Sequence, residues 1–206
     1  MQTGRTGGFS QSGCDQPDGA SASWPWRLCQ GIDLRYSAQM EPLVDTVIED
    51  PRWDAVGLDA LANRAARAAL DALDIRPDGF TLCLMACDDA RIAGLNAGFR
   101  GKAVATNVLS WPSAERGSGV GGLAPKPPEP GAADDPESLG DIAISYDTCA
   151  QEAAAFGKPM PDHVCHLVVH AVLHLLGYDH VTDADAELME ACEVRILATL
   201  GVCDPY

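Results

Sequence analysis

The chain has 206 residues, 47% of them hydrophobic, and a formal net charge of -16. That is enough apolar material for one domain with a real core, and a charge of this sign argues against indiscriminate nucleic-acid binding, which relies on a broadly basic surface. No apolar run approaches the ~20 residues of a membrane span, and the N-terminus has no apolar signal core; the eight cysteines are scattered without a Cys-x-x-Cys pair. Such cysteines fit buried free thiols in a reducing cytoplasm better than a disulfide scaffold, so a cytoplasmic protein with no membrane partner is expected.

Residues 1–39 are rich in Gly, Ser, Gln and Asp without apolar periodicity and read as a disordered extension, with Trp24 and Trp26 as the contrary hint. Met40 opens the first segment with a folding pattern, so a single domain is expected over residues 40–206. Leu43 to Glu49 predicts a first strand ended by Pro51, and the apolar spacing from Leu58 to about Leu73 predicts an amphipathic helix. The apolar run Phe80 to Ala86 predicts a buried second strand. Asp88 or Asp89 is placed to cap a short helix ending near Gly98.

Thr106 to Pro112 predicts a third strand, followed by a Gly/Pro/Ser-rich stretch, residues 113–137, that reads as a flexible insertion or long hairpin loop. Leu139 to Tyr146 predicts the fourth strand, and Thr148 to Phe156 a helix stopped by Gly157. From about Asp162 to Leu176 a further helix is expected; between Val164 and Leu176 every side chain is apolar or cysteine except His166, His170 and His174. A helix apolar all round is a buried one. Thr182 and Asp185 form a capping pair for a last helix ending near Gly201, in which Asp183, Asp185, Glu187, Glu190 and Glu193 are expected on a solvated face. This order predicts an α+β (α/β sandwich) fold: a small mixed four-stranded sheet packed with about five helices, the buried one carrying the chemistry.

That chemistry lies in His170-Ala-Val-Leu-His174-Leu-Leu-Gly-Tyr-Asp-His180. Residues four apart on a helix share a face, so His170 and His174 can converge on one ion, and a left-handed turn at Gly177 can return His180 as a third ligand. Burying imidazoles without partners costs up to a few kcal/mol, which weighs against a merely structural histidine stack. Three neutral ligands without a fourth predict one zinc ion per chain in a catalytic site, with an open position for an activated water. Cys165 stands about 140° round the helix from His170 and faces away. His166 reads as a core histidine with a hydrogen-bond partner, and His163 as exposed near the helix start. Asp179, beside His180, fits a residue holding an imidazole tautomer or one stabilising the turn.

The ligand spacing is that of the metzincin proteases, but those enzymes place a Glu directly after the first His as general base, and here Ala171 stands there. The run instead resembles the signature of the YbeY-type endoribonucleases, His-Gly-x-Leu-His-Leu-x-Gly-Tyr-Asp-His, with Ala171 replacing the usual Gly. Leu95-Asn96, Phe99-Arg100-Gly101-Lys102, the strand from Thr106 to Pro112 and Leu139-Gly140-Asp141-Ile142 resemble that family's other motifs in the same order, so the likeness runs from about Val44 to Leu200. Ala103 and Ala105 depart from it, standing where the family commonly has Asp and Pro.

The resemblance implies a metal-dependent endoribonuclease specific for single-stranded RNA, with no action on DNA. It implies maturation of the 3′ end of the 16S rRNA precursor and ribosome quality control, with the small ribosomal subunit and its assembly factors as partners. It makes Arg100, by spacing alone an ordinary solvated arginine, the expected phosphate clamp, since a guanidinium binds two phosphate oxygens at once. Arg100 and His170 are thus the expected catalytic residues. Lys102, Asn107 and Ser110 are substrate candidates with surface roles as the alternative, and Asp141 either orients a ligand, pairs with Arg100 or belongs to the strand edge. Two competing functions remain: a zinc peptidase or amidase of metzincin-like geometry, and a non-enzymatic, metal-stabilised ribosome-assembly factor.

Overall fold

A computed structural model describes residues 42–206. The expected disordered extension, including Trp24 and Trp26, lies outside the described residues. The elements are β1 (Val44–Ile48), α1 (Leu58–Ala72), β2 (Phe80–Cys87), α2 (Asp89–Arg100), β3 (Val108–Pro112), β4 (Glu137–Ser145), α3 (Tyr146–Phe156), α4 (Met160–Leu175) and α5 (Asp183–Thr199). The four strands form one mixed sheet in the order β1-β2-β4-β3, parallel except for the antiparallel β3/β4 pair. This is the α+β architecture that the sequence predicts.

Alternating buried residues on β2 (Phe80, Leu82, Leu84) and the buried stripe of α1 (Leu58, Leu61, Ala62, Ala65, Ala69) belong to the main core, on the α4 side of the sheet. On the other side a smaller cluster of Cys87, Ile92, Leu109 and Ala143 seats α2. From Val164 to Leu176, α4 and its cap are buried except at His166, His170 and His174, and α4 packs against α1, α3, α5 and β3. A short 3-10 helix at Pro51–Val56, absent from the sequence reading, carries Trp53, whose indole N–H donates to the Cys87 carbonyl at 3.1 Å. A lone aromatic in a run this short leaves no periodicity to read.

Asp88 caps α2 by accepting from the Arg91 N–H. Asp89, the alternative cap, instead accepts from the backbone and hydroxyl of Thr148 and so ties α2 to α3. Helix α2 runs two residues past Gly98 and stops at Gly101, whose φ is +67°, which puts Arg100 at the helix end. Residues 113–136 join β3 to β4 as a long hairpin connection with an isolated bridge between Ala132 and Asp135.

Candidate metal centre

Leu176 ends α4, and Gly177 follows with a φ of +92°. The Tyr178 N–H donates to the Leu173 carbonyl at 3.0 Å, and the Gly177 N–H to the His174 carbonyl at 3.0 Å. This is the Schellman pattern of a glycine-terminated helix, satisfying carbonyls that the helix leaves open. The turn sends the chain back along the histidine face. The His180 ring lies 5.5 Å from that of His170 and 5.1 Å from that of His174, centroid to centroid. One ring nitrogen from each of His170, His174 and His180 lies within 4.8 Å of the other two, a group that could hold a metal ion.

The tautomers decide what these nitrogens can do. His170 Nδ1 donates to Glu193 Oε1 at 2.7 Å and His174 Nδ1 donates to the Tyr178 carbonyl at 3.0 Å. Both partners only accept, so each ring carries its proton on Nδ1. The two Nε2 atoms stand 3.1 Å apart, and in neutral rings each points a lone pair at the other with no proton between them. Two lone pairs facing each other on half-buried rings are unfavourable without a cation, and imidazole nitrogens are donors suited to zinc. Burial, reinforced by His170 and His180 nearby, pushes the His174 imidazolium down to about 4, so this ring is neutral at physiological pH. The donor set therefore fits a divalent transition metal.

Glu193 is the functional residue that sequence reasoning misplaced. It was expected on a solvated face of α5, yet it is 0% exposed. Met189, Glu193, Ile196 and Leu197 follow helical spacing and share the buried face. Burial alone would push its carboxyl up, but hydrogen bonds from His166, His170 and Tyr206 prevail and hold it at about 2. His166 donates to the same carboxylate at 3.2 Å, a core histidine with a partner. His163, expected at the surface, is only 6% exposed, with Glu152 and Phe156 of α3 against its ring. It meets Glu152 at 2.8 Å.

The remaining candidates are spread over several elements. Asn107 spends its amide on Glu152 at 3.0 Å and its carbonyl oxygen on the Val108 N–H at 2.7 Å. Asp179 accepts from the His180 N–H at 2.8 Å, while the His174 tautomer is held by a backbone carbonyl. Asp141 is exposed on β4 opposite Trp111, and Lys102 is exposed in the loop after α2. Cys165 lies in the core.

Ser110, on β3, lines a cavity of about 550 Å³ that reaches His174, Tyr178 and Asp179. Residues 114–121 of the long connection form the facing wall. Arg116 anchors that wall: its guanidinium donates to the Leu175 carbonyl at 3.2 Å and to Ser113 Oγ at 3.1 Å, with its side chain only 7% exposed. It thus satisfies an open carbonyl at the C-terminal end of α4, where the helix dipole also favours a cation. Gly122 and Asp185 tie the same connection to the start of α5 at 2.8 Å.

The model of the family described as endoribonuclease YbeY matches residues 47–201. A protein named endoribonuclease YbeY from Cereibacter sphaeroides is 66% identical over 167 residues, covering 81% of this chain and 100% of its own. Proteins of the same name from Dinoroseobacter shibae and Rhodopseudomonas palustris are 55% and 44% identical, covering 79% and 86% of this chain and 90% of each of theirs.

Proposed function

This chain belongs to the YbeY endoribonuclease family, and we propose that it is a zinc-dependent endoribonuclease specific for single-stranded RNA. Its substrate is the 3′ end of the 16S rRNA precursor, met in the cytoplasm on the small ribosomal subunit with assembly factors, in a role that extends to ribosome quality control. We assign the catalytic domain to residues 40–206. The observation that carries the reading is the convergence of His170, His174 and His180, with the Nδ1 atoms of His170 and His174 turned to acceptors and their Nε2 atoms 3.1 Å apart.

His170, His174 and His180 would hold one zinc ion, which would supply Lewis-acid chemistry at the scissile phosphate. The chain's own part is to hold the ligands and to present the RNA. Glu193 and the Tyr178 carbonyl fix two ring orientations. The cavity beside His174 gives an unpaired strand a place next to the ligands, with Ser110 on its wall, and Arg100 clamps the phosphate as charge builds on its oxygens. Arg116 is occupied with carbonyls and with Glu137, so it holds the wall in place. Lys102 stands near Arg100 in sequence for contact with the RNA backbone.

A peptidase reading loses the base that metzincin geometry places directly after the first ligand. Ala171 is buried, and the carboxylate of Glu193 sits behind His170 with no exposed surface from which to accept a proton from water. The decisive experiment measures bound metal, then incubates the protein with single-stranded RNA and with casein, each with and without chelator. RNA cleavage that chelator abolishes and zinc restores is expected. Casein digestion without RNA cleavage would replace this reading with the peptidase, and bound zinc with neither activity would leave the assembly factor.

A further inference from the structure

We propose that Glu193 is a positioning residue that fixes His170 in its Nδ1–H tautomer, so that the Nε2 lone pair faces the metal centre. The proposal deepens the metal reading and rests on it for its consequence in zinc binding. Oε1 of Glu193 accepts from His170 Nδ1 at 2.7 Å, while Oε2 accepts from His166 Nε2 at 3.2 Å and from the Tyr206 hydroxyl. An ionised carboxylate has about four acceptor sites, and three are filled here by donors from α4 and from Tyr206.

An unpaired buried carboxylate is costly, and Glu193 is 0% exposed on α5, a helix packed against α4. The three donors offset that cost and hold the charge one ring away from the lone pair. With the carboxylate on Nδ1, the ring can neither flip nor move its proton to Nε2, the nitrogen that protonates in the tautomer free histidine favours. The charge also raises the basicity of Nε2 as a ligand. His174 gets the same tautomer from a neutral carbonyl, so the two helical ligands differ in how strongly they are primed.

The test is Glu193→Gln in the full chain, with three readouts: the ring-nitrogen NMR shifts of His170 in metal-free protein, zinc affinity by competition with a chromophoric chelator, and thermal unfolding of the metal-free form. Gln can still accept from His170 through its carbonyl oxygen, but it has lost the charge and turns an amide NH₂ toward two donors. The expected result is a protein that folds, whose His170 proton shifts toward Nε2, and whose zinc affinity falls about ten- to a hundredfold. Tyr206→Phe removes a donor from the other oxygen and should weaken zinc binding only a few-fold.

A Glu193→Gln protein with the wild-type tautomer and wild-type zinc affinity would overturn the proposal. Should that variant fail to fold, Glu193→Asp keeps the charge but withdraws it by one methylene, and wild-type values in that protein would overturn it equally. Absence of zinc uptake by the wild-type chain would sink the metal reading instead, while the ring-nitrogen shifts would still decide the tautomer.

Discussion

His163 and His170 stand seven residues apart on one face of α4, and each donates to a carboxylate from a neighbouring helix, Glu152 for the first and Glu193 for the second. Only His170 belongs to the convergent group. His163→Ala is therefore expected to keep full zinc content while losing about 1–3 kcal/mol of stability, the cost of leaving the Glu152 carboxylate one partner short. Urea unfolding and metal analysis of the same preparation check this, and loss of zinc would place His163 in the metal's support. Neither carboxylate contact was legible from local composition. The acids of α5 look alike when counted along the chain, and only their registration with Met189, Ile196 and Leu197 separates buried Glu193 from exposed Glu190. The burial of His163 comes from α3, whose Glu152 and Phe156 lie against it and leave no mark in the local sequence.

At the scale of elements, the centre depends on how α4 ends. Gly177 is required twice over: its φ of +92° disfavours a side chain, and a Cβ there would meet the backbone and side chain of Arg116 at 2.7–2.8 Å. Gly157, which caps α3 with a φ of +62°, has nothing within 4 Å. Gly157→Ala should thus cost only the backbone strain, about 1 kcal/mol, while Gly177→Ala should cost more. It should also weaken zinc binding, because the same turn carries the Tyr178 carbonyl and His180. Melting temperatures of both variants and zinc titration of Gly177→Ala test this; equal losses with unchanged zinc affinity would show that the turn tolerates the shift. The helix, its glycine stop and the returning histidine were readable because each leaves a local signal: apolar spacing, a glycine after the last periodic residue, and a third imidazole. The packing of the long connection was not readable. Its Gly/Pro/Ser composition has no period, and the bond from Arg116 to Leu175, 59 residues away, leaves no local pattern.

For the molecule as a whole, the net charge of -16 must be reconciled with an RNA substrate. Several of its cations are committed within the fold: Arg52 to Asp50 and Asp147, Arg91 to Glu49, Arg116 to backbone carbonyls and Glu137. An enzyme of this charge gains little from long-range attraction, so its phosphate contacts should be few and local, which is the pattern expected of Arg100 with Lys102. Each phosphate neutralised on a single strand adds about -0.7 to the slope of log affinity against log salt, so two contacts give a slope of about -1.4. Screening of the repulsion between RNA and the acidic surface makes the observed slope shallower still. Arg100→Ala should remove about 0.7 of that slope, and in the same protein the cleavage rate at saturating RNA should fall about a hundredfold or more, since a clamp on phosphate oxygens acts mainly in the transition state. Arg100→Lys should restore much of the slope but little of the rate, because a lysine keeps the charge without the two parallel hydrogen bonds of a guanidinium. Fluorescence anisotropy with a labelled single-stranded RNA at several salt concentrations, in chelator so that no cleavage occurs, gives the slopes, and single-turnover cleavage with zinc gives the rates. A wild-type slope steeper than about -4 would mean six or more phosphate contacts and an extended basic surface. An unchanged slope and rate in Arg100→Ala would move the clamp to another cation, with Lys102 the first to test.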